Sequence, residues 1–123
     1  MKYMLMFVND EAWERKTSPE EVKQGYEAVM KWWDEHSAAG RIVGGEQLKP
    51  AATATTVRKK DGKTTVTDGP FIESKEALGG FAIVNVPDLD AAIAMAKTWP
   101  GLEVLEIRPL VERRDDSGVP SEK

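Results

Sequence analysis

The order in which two helix patterns alternate with apolar, strand-like runs is the feature that most constrains the fold. The first helix pattern extends from Pro19 to about Ala39, with Ser18 as a capping residue directly before a proline that suits the first helical position. Pro87-Asp88 opens the second pattern, and Pro100-Gly101 stops it. Short segments that are apolar or rich in β-branched residues lie before and after each helix pattern, with a polar loop over residues 9–16 before the first helix, and we predict that these segments are strands.

The strand-like segments are rich in β-branched or apolar residues and are separated by turn residues. Gly44-Gly45 interrupts one of them and predicts a bulge or a close backbone approach. Asp61-Gly62 separates two others and is typical of a hairpin turn. The predicted strands are residues 2–8, which we expect to be buried on both faces, and residues 41–49, 53–60, 63–67, 81–86 and 102–109.

This order predicts an α+β protein, a ferredoxin-like sandwich with an inserted β-hairpin. Two helices can cover only one face of the sheet. In residues 81–86, however, both alternating sets of side chains are apolar, and an apolar sheet needs a partner on each face. We therefore expect a symmetric homodimer, sheet against sheet.

The bulk composition fits one domain. We expect a single domain over residues 1–112 and a charged, flexible tail over residues 113–123 of the 123-residue chain. No apolar run approaches the ~20 residues of a membrane helix, and the apolar start is too short for a signal peptide, so a cytoplasmic protein without membrane contact is expected. The absence of cysteine excludes disulfides and thiolate chemistry, and a net charge of −4 argues against direct nucleic-acid binding.

One stretch concentrates charged groups and backbone constraints. Asp68-Gly69-Pro70-Phe71 is followed by Glu73, Lys75-Glu76 and Gly79-Gly80-Phe81. These residues resemble the motif of DGPF-domain proteins in the YCII-related superfamily, and the similarity extends over residues 1–109. The resemblance implies a dimeric α/β barrel. Because such proteins are often encoded beside or fused to extracytoplasmic-function sigma factors, it also implies a link to transcriptional control, although the family is largely uncharacterised.

Three residues of this stretch are candidate catalytic groups. Asp68 can be a turn residue before Gly-Pro, or a general base at the mouth of a cleft, as the resemblance favours. Glu73 and Lys75 can be solvated loop charges, but they match the family motif and precede a glycine pair where backbone can approach a ligand closely. We predict a site role for all three.

Phe71, Glu106 and Arg108 are predicted to bind substrate. Glu106 and Arg108 alternate on one face of the last strand, where the expected dimer would bury them. Arginine offers a fork for a carboxylate or phosphate, but the residues alone favour the alternative, a salt bridge within or between subunits.

His36 is the only histidine, and we predict a structural role for it near the end of the first helix, where the dipole favours a protonated imidazole. YCII proteins proper carry a suspected catalytic histidine earlier in this helix, and the resemblance does not supply one here, because Val29 and Met30 occupy that region. Trp33 is predicted to be core, on an apolar stripe with Val22, Tyr26, Val29 and Met30. No cofactor is predicted, and one histidine with scattered carboxylates gives no metal-ligand spacing.

The resulting hypothesis is a small protein that binds a polar or anionic organic molecule in an intersubunit cleft. If it is an enzyme, the chemistry is cofactor-free proton transfer with a carboxylate base. The alternative is a non-catalytic regulatory or interaction protein with a sigma-factor-related partner.

Overall fold

A computed structural model describes residues 1–10, 18–70 and 76–112, and the statements below concern these residues. The predicted tail falls outside them. The elements in chain order are β1 (Lys2–Asp10), α1 (Pro19–Ala38), β2 (Ile42–Gln47), a one-turn 3-10 helix (Ala51–Thr53), β3 (Thr55–Lys60), β4 (Lys63–Asp68), β5 (Glu76–Asn85), α2 (Leu89–Lys97) and β6 (Val104–Pro109).

Four strands form an antiparallel sheet in the order β2-β5-β1-β6, and β3 pairs with β4 in a separate two-stranded sheet. The chain is therefore α+β with two helices and a mostly antiparallel sheet, which is compatible with the predicted ferredoxin-like fold. Without the β3–β4 hairpin, the order of elements is β1-α1-β2-β5-α2-β6. The strands β1 and β5 lie in the centre of the four-stranded sheet, so their side chains determine both of its faces.

Local signals set the helix ends where the sequence predicts them. The Ser18 side chain accepts a hydrogen bond of 3.2 Å from the backbone N–H of Glu21. Asp88 caps α2 in the same way, accepting from the N–H of Ala91 at 2.9 Å. Gly40 follows α1 with a φ of +79°, in the left-handed region that glycine adopts without strain.

One face of the sheet is buried against the helices. Side chains at alternate positions of β1 and β5 form its centre, and the helices, β2 and the residue after β5 contribute the rest. The buried residues are Tyr3, Leu5, Phe7, Trp32, Ile42, Ala82, Val84, Val86, Ala92 and Met95. Contrary to the prediction for residues 2–8, the other face of β1 is only half-buried within one chain, because both described helices pack on the opposite face.

The predicted stripe on α1 is wrong in its position. Trp32, not Trp33, is the buried tryptophan, with 5% exposure, while Tyr26 remains 55% exposed. The indole N–H of Trp32 donates to Thr98 Oγ1 at 2.8 Å, and its ring meets Phe7 edge-on at 6.3 Å. Every described residue of α1 before Val29 is exposed, so only the second half of the helix packs on the sheet.

Trp33 has a different neighbour, the glycine pair of β2. Gly45 has a φ of +137°, and a Cβ atom there would lie 2.3 Å from the Phe81 carbonyl oxygen and 2.7 Å from the Trp33 ring. The register also shifts between Ile42 and Gly44. This confirms the predicted bulge and close approach at Gly44-Gly45, and it explains why Trp33 is half-buried at this edge.

Candidate functional site

The face of the four-stranded sheet that points away from the helices carries apolar side chains that are only half-buried in the described part of the chain. Its side chains follow from the strand register, since directly paired residues of antiparallel strands point to the same side. Met4 lies between Ile83 and Arg108, and Met6 lies between Phe81 and Glu106. We call these six residues the open face: Met4, Met6, Phe81, Ile83, Glu106 and Arg108.

The open face has an apolar centre and a charged edge. Its methionines, Phe81 and Ile83 are half-buried within one chain, because neighbouring side chains cover them only from the side. Unbranched methionine side chains adapt to irregular surfaces, which suits them to a binding surface. The face therefore combines adaptable apolar contact area with two ionised groups at β6.

Glu106 and Arg108 are brought together as the alternation in β6 predicts. The Nε of Arg108 donates to Glu106 Oε2 at 2.8 Å, and the side chains of Arg108 and Glu106 are 73% and 51% exposed, respectively. The carboxylate orients the guanidinium plane through Nε. The two terminal nitrogens of an arginine held in this way are suited to bind a carboxylate or phosphate as a fork.

Asp68 lies elsewhere, at the end of the two-stranded sheet. It pairs with Thr55 and is exposed, and its carboxylate forms no hydrogen bond with another described residue. The next residue is fixed: the N–H of Gly69 donates to the Ala54 carbonyl at 2.7 Å, and Thr56 Oγ1 donates to the Gly69 carbonyl at 2.7 Å. The backbone around Asp68 is thus held while its side chain faces solvent. Phe71, Glu73 and Lys75 lie outside the described residues.

The glycine pair after the motif has a structural use. A Cβ atom at Gly80 would lie 3.0 Å from the Glu46 carbonyl oxygen, and one at Gly79 would lie 3.2 Å from Asn9 Oδ1. These glycines let neighbouring strands and the Asn9 side chain approach β5 closely. In the described part of the chain, the space beside them is filled by protein.

Asn9 is a polar residue that the sequence reasoning did not single out. Its Oδ1 atom is buried and has no hydrogen-bond donor among the described residues. Such atoms are rare, because burying an amide oxygen without a partner costs about 1–3 kcal/mol. The signal in the sequence was an amide side chain directly after an apolar run. Asn9 lies at the end of β1 where β5 begins, so it is close in the sheet to the strand that follows the motif.

His36 lies at the edge of an open groove of about 430 Å³ between the end of α1 and the segment after α2. Arg41 Nε donates to His36 Nδ1 at 2.8 Å, so the neutral ring carries its proton on Nε2. Partial burial and then the charge of Arg41 lower the pKa of His36, against the opposing effect of Glu35. The dipole argument predicted a favoured imidazolium and is outweighed here. The groove is lined by Ala28, Lys31, Trp32, Glu35, His36, Thr98 and Pro100.

Within the described ranges, no three side chains of the metal-binding types converge, and no helix combines the length and apolar character needed to cross a membrane.

The architecture is that of small α+β proteins in which two helices cover one face of an antiparallel sheet. The YCII-related domain matches residues 1–113, so the chain belongs to the YCII-related family. It is also 36% identical over 118 residues to an uncharacterised protein of Rhizobium meliloti (strain 1021), a match that covers 89% of this chain and 92% of that protein.

Proposed function

We propose that this YCII-related protein is a homodimer, paired through the open face, that binds a small organic anion beside Arg108. The observation that carries the proposal is the open face itself, which places an apolar centre and an oriented arginine on the sheet surface opposite the helices. Two copies related by a two-fold axis would bring their apolar centres together and form the dimeric α/β barrel that the family resemblance implies.

Apolar contact supports the pairing. Antiparallel sheets that face water on one side usually alternate apolar and polar residues, whereas β1 and the middle of β5 are apolar on both sides. Burial of the Met6 and Phe81 side chains against a second copy would contribute roughly 25 cal/mol per Å² of apolar area. Glu106 and Arg108 on β6 and Glu46, which pairs with Phe81 from β2, would then form polar edges on both sides of the apolar centre of the interface.

The charge of Arg108 supports an anion as the ligand. Arg108 is 73% exposed and already oriented by Glu106, so it can bind a second acidic group without losing the first. In a dimer this charge pair would lie at the boundary between subunits, where a cleft excludes part of the water and strengthens the interaction. A small carboxylate, or a lactone with a developing carboxylate, fits this arrangement.

We further propose that the chain belongs to the DGPF subgroup, that Asp68 acts on the ligand as a general base, and that Glu73 and Lys75 take part in the same chemistry. An aspartate that is exposed on a fixed backbone is well placed to exchange a proton. Asp68→Asn keeps the side chain's size and removes its basicity, so it should preserve the melting temperature and ligand affinity while abolishing turnover. Equal turnover by both proteins would exclude Asp68 as the base.

The dimer is tested by molar mass in solution. Phe81→Glu introduces a charge into the centre of the open face and should convert a dimer of the wild type into a monomer, measured by light scattering coupled to size-exclusion chromatography. Leu102→Glu is the matched control, because Leu102 is 74% exposed outside the open face. A monomeric wild type, or a dimer that Phe81→Glu leaves intact, would contradict the proposal.

The ligand is tested by thermal shift against small carboxylic acids, lactones and phosphate esters. A ligand at 100 times its dissociation constant should stabilise the folded protein by about 2.7 kcal/mol. Arg108→Ala should remove the shift, and Arg108→Lys, which keeps the charge but loses the fork, should reduce it. If no compound shifts the wild type, the non-catalytic, partner-binding alternative becomes the better explanation.

A further inference from the structure

The two-stranded sheet of β3 and β4 is exposed on both faces. The strands pair from Thr55–Asp68 to Lys60–Lys63 around Asp61 and Gly62, which both have positive φ, as a primed two-residue turn requires. Every residue of these strands except Thr56 is exposed. An isolated two-stranded hairpin is marginally stable in water, so this hairpin needs a surface to pack on.

The two faces of the hairpin differ in chemistry. Val57 and Val66 lie directly opposite each other and are 58% and 65% exposed. By the period of two, Lys59 and Asp68 share this side, which we call the valine face. The tip is strongly basic: Arg58, Lys59, Lys60 and Lys63 accompany a single acid, Asp61, in a chain whose net charge is −4. Of these basic residues Lys59 lies on the valine face, and the other three lie on the opposite side of the hairpin.

The N-terminal half of α1 has the complementary character. Residues 18–28 are all exposed. Val22 and Tyr26 lie one turn apart and form an apolar patch with 46% and 55% exposure. The same half carries three acids, Glu20, Glu21 and Glu27, against one lysine. The patch therefore offers apolar contact beside negative charge, as the hairpin offers apolar contact beside positive charge.

We infer that the hairpin is an arm that packs its valine face on the N-terminal half of α1 of a second copy of the chain. The inference rests on the proposed homodimer and adds a contact to it. In a dimer with a two-fold axis this contact would occur twice, once for the hairpin of each copy. Because Asp68 lies on the valine face, the contact places its carboxylate at the boundary between the two copies.

Cross-linking of isotope-mixed protein tests the contact. Equal amounts of ¹⁴N- and ¹⁵N-labelled full-length chain are unfolded together, refolded and treated with a carbodiimide, which joins an amine directly to a carboxylate in contact with it. We expect cross-links from Lys59, Lys60 or Lys63 to Glu20, Glu21 or Glu27 that contain both isotopes. The inference would be overturned if the hairpin were cross-linked only within its own copy, if it were cross-linked to another surface, or if it gave no cross-links.

Charge reversal provides the second test. Lys59→Glu/Lys60→Glu should raise the dimer dissociation constant roughly tenfold or more, because each dimer contains the contact twice. Adding Glu20→Lys/Glu27→Lys to this variant should restore the wild-type dissociation constant. The control variant Lys49→Glu/Lys97→Glu makes the same charge change on exposed residues of other segments, and it should keep the wild-type dissociation constant. Absence of rescue in folded variants would contradict the contact with α1.

The two proposals fail separately in these experiments. A dimer that Phe81→Glu dissociates but whose hairpin gives no mixed-isotope cross-links refutes the arm and leaves the open-face dimer intact. Mixed-isotope cross-links in a protein whose dimer survives Phe81→Glu support the arm and refute pairing through the open face. Circular dichroism on each variant verifies that it is folded.

Discussion

The two faces of the four-stranded sheet are built from the same strands and differ in what covers them. On the helix-covered face Leu5 is fully buried, with Tyr3 and Phe7 beside it. On the open face the adjacent residues Met4 and Met6 are half-buried, although they are equally apolar. The difference teaches that the alternation of apolar residues specifies which side chains need to be buried. It does not specify whether a helix of the same chain or another protein surface buries them.

The largest effect should come from the helix side of the covered face. Trp32→Ala removes a 5%-exposed ring that contacts Phe7 and donates to Thr98, and it should cost about 3–5 kcal/mol in the free energy of unfolding. Trp33→Ala should cost clearly less, because Trp33 is half-buried. Chemical denaturation measures both, and equal losses would contradict the assignment of Trp32 as the core residue.

A matched pair on β1 compares the two faces directly. Leu5→Ala should destabilise the chain by about 2–5 kcal/mol at any protein concentration. Met6→Ala should cost about 1 kcal/mol in dilute protein, where a dimer dissociates, and more in concentrated protein, where the open face is paired. Denaturation over a hundredfold range of concentration measures this, and a concentration-independent Met6→Ala effect would break the comparison.

The charged edge of the open face should matter little to a single chain. Glu106→Gln removes one partner of the exposed 2.8 Å pair, so it should cost only about 0.2–1 kcal/mol in dilute protein. The same substitution should weaken ligand binding by releasing Arg108. A loss of several kcal/mol in thermal or chemical denaturation would show instead that the pair is buried in the folded state that is measured.

The smallest effect concerns pH and the edge of the covered face. The pKa of His36 is lowered from its ordinary 6.5, so the unfolded chain binds the proton more tightly than the folded one. The contribution of His36 to stability is therefore complete above pH 6.5 and is lost as the pH falls from there through the folded-state pKa.

His36→Asn keeps an acceptor near Nδ1 for Arg41 but does not titrate, so its melting temperature should fall less on acidification from pH 7 to pH 5. Parallel melting curves for the variant and the wild type across this range would refute the lowered pKa.

Features that depend on a few neighbouring residues were predictable from the sequence. Ser18 and Asp88 cap their helices through bonds to residues three positions on, so the pattern contains the whole interaction. The glycine pair also indicated a close approach at Gly45, although it could not indicate that the residues in contact are Phe81 and Trp33. Alternation in β5 also indicated a sheet that is apolar on both sides, and in β6 it indicated that Glu106 and Arg108 share a side.

Features that depend on how the helices pack against the sheet were not predictable from the sequence. The helical period cannot tell Trp32 from Trp33, because the choice depends on how α1 rotates onto the sheet and on which half overhangs it. The pKa of His36 depends first on its partial burial and then on Arg41, which the turn after α1 brings near. Of the predicted site, Glu106 and Arg108 meet, and Asp68 belongs to the other sheet. The roles of Phe71, Glu73 and Lys75 stay predictions.

The aromatic cluster on the covered face has a spectroscopic consequence. The rings of Trp32 and Trp99 lie 4.9 Å apart and nearly perpendicular, and Trp99 lies 4.4 Å from Phe7. The electronic transition dipoles of aromatic rings at these distances couple with each other and exchange excitation. The near-ultraviolet circular dichroism should therefore report the junction of both helices with the sheet, and it offers an optical readout that events on the open face leave largely undisturbed.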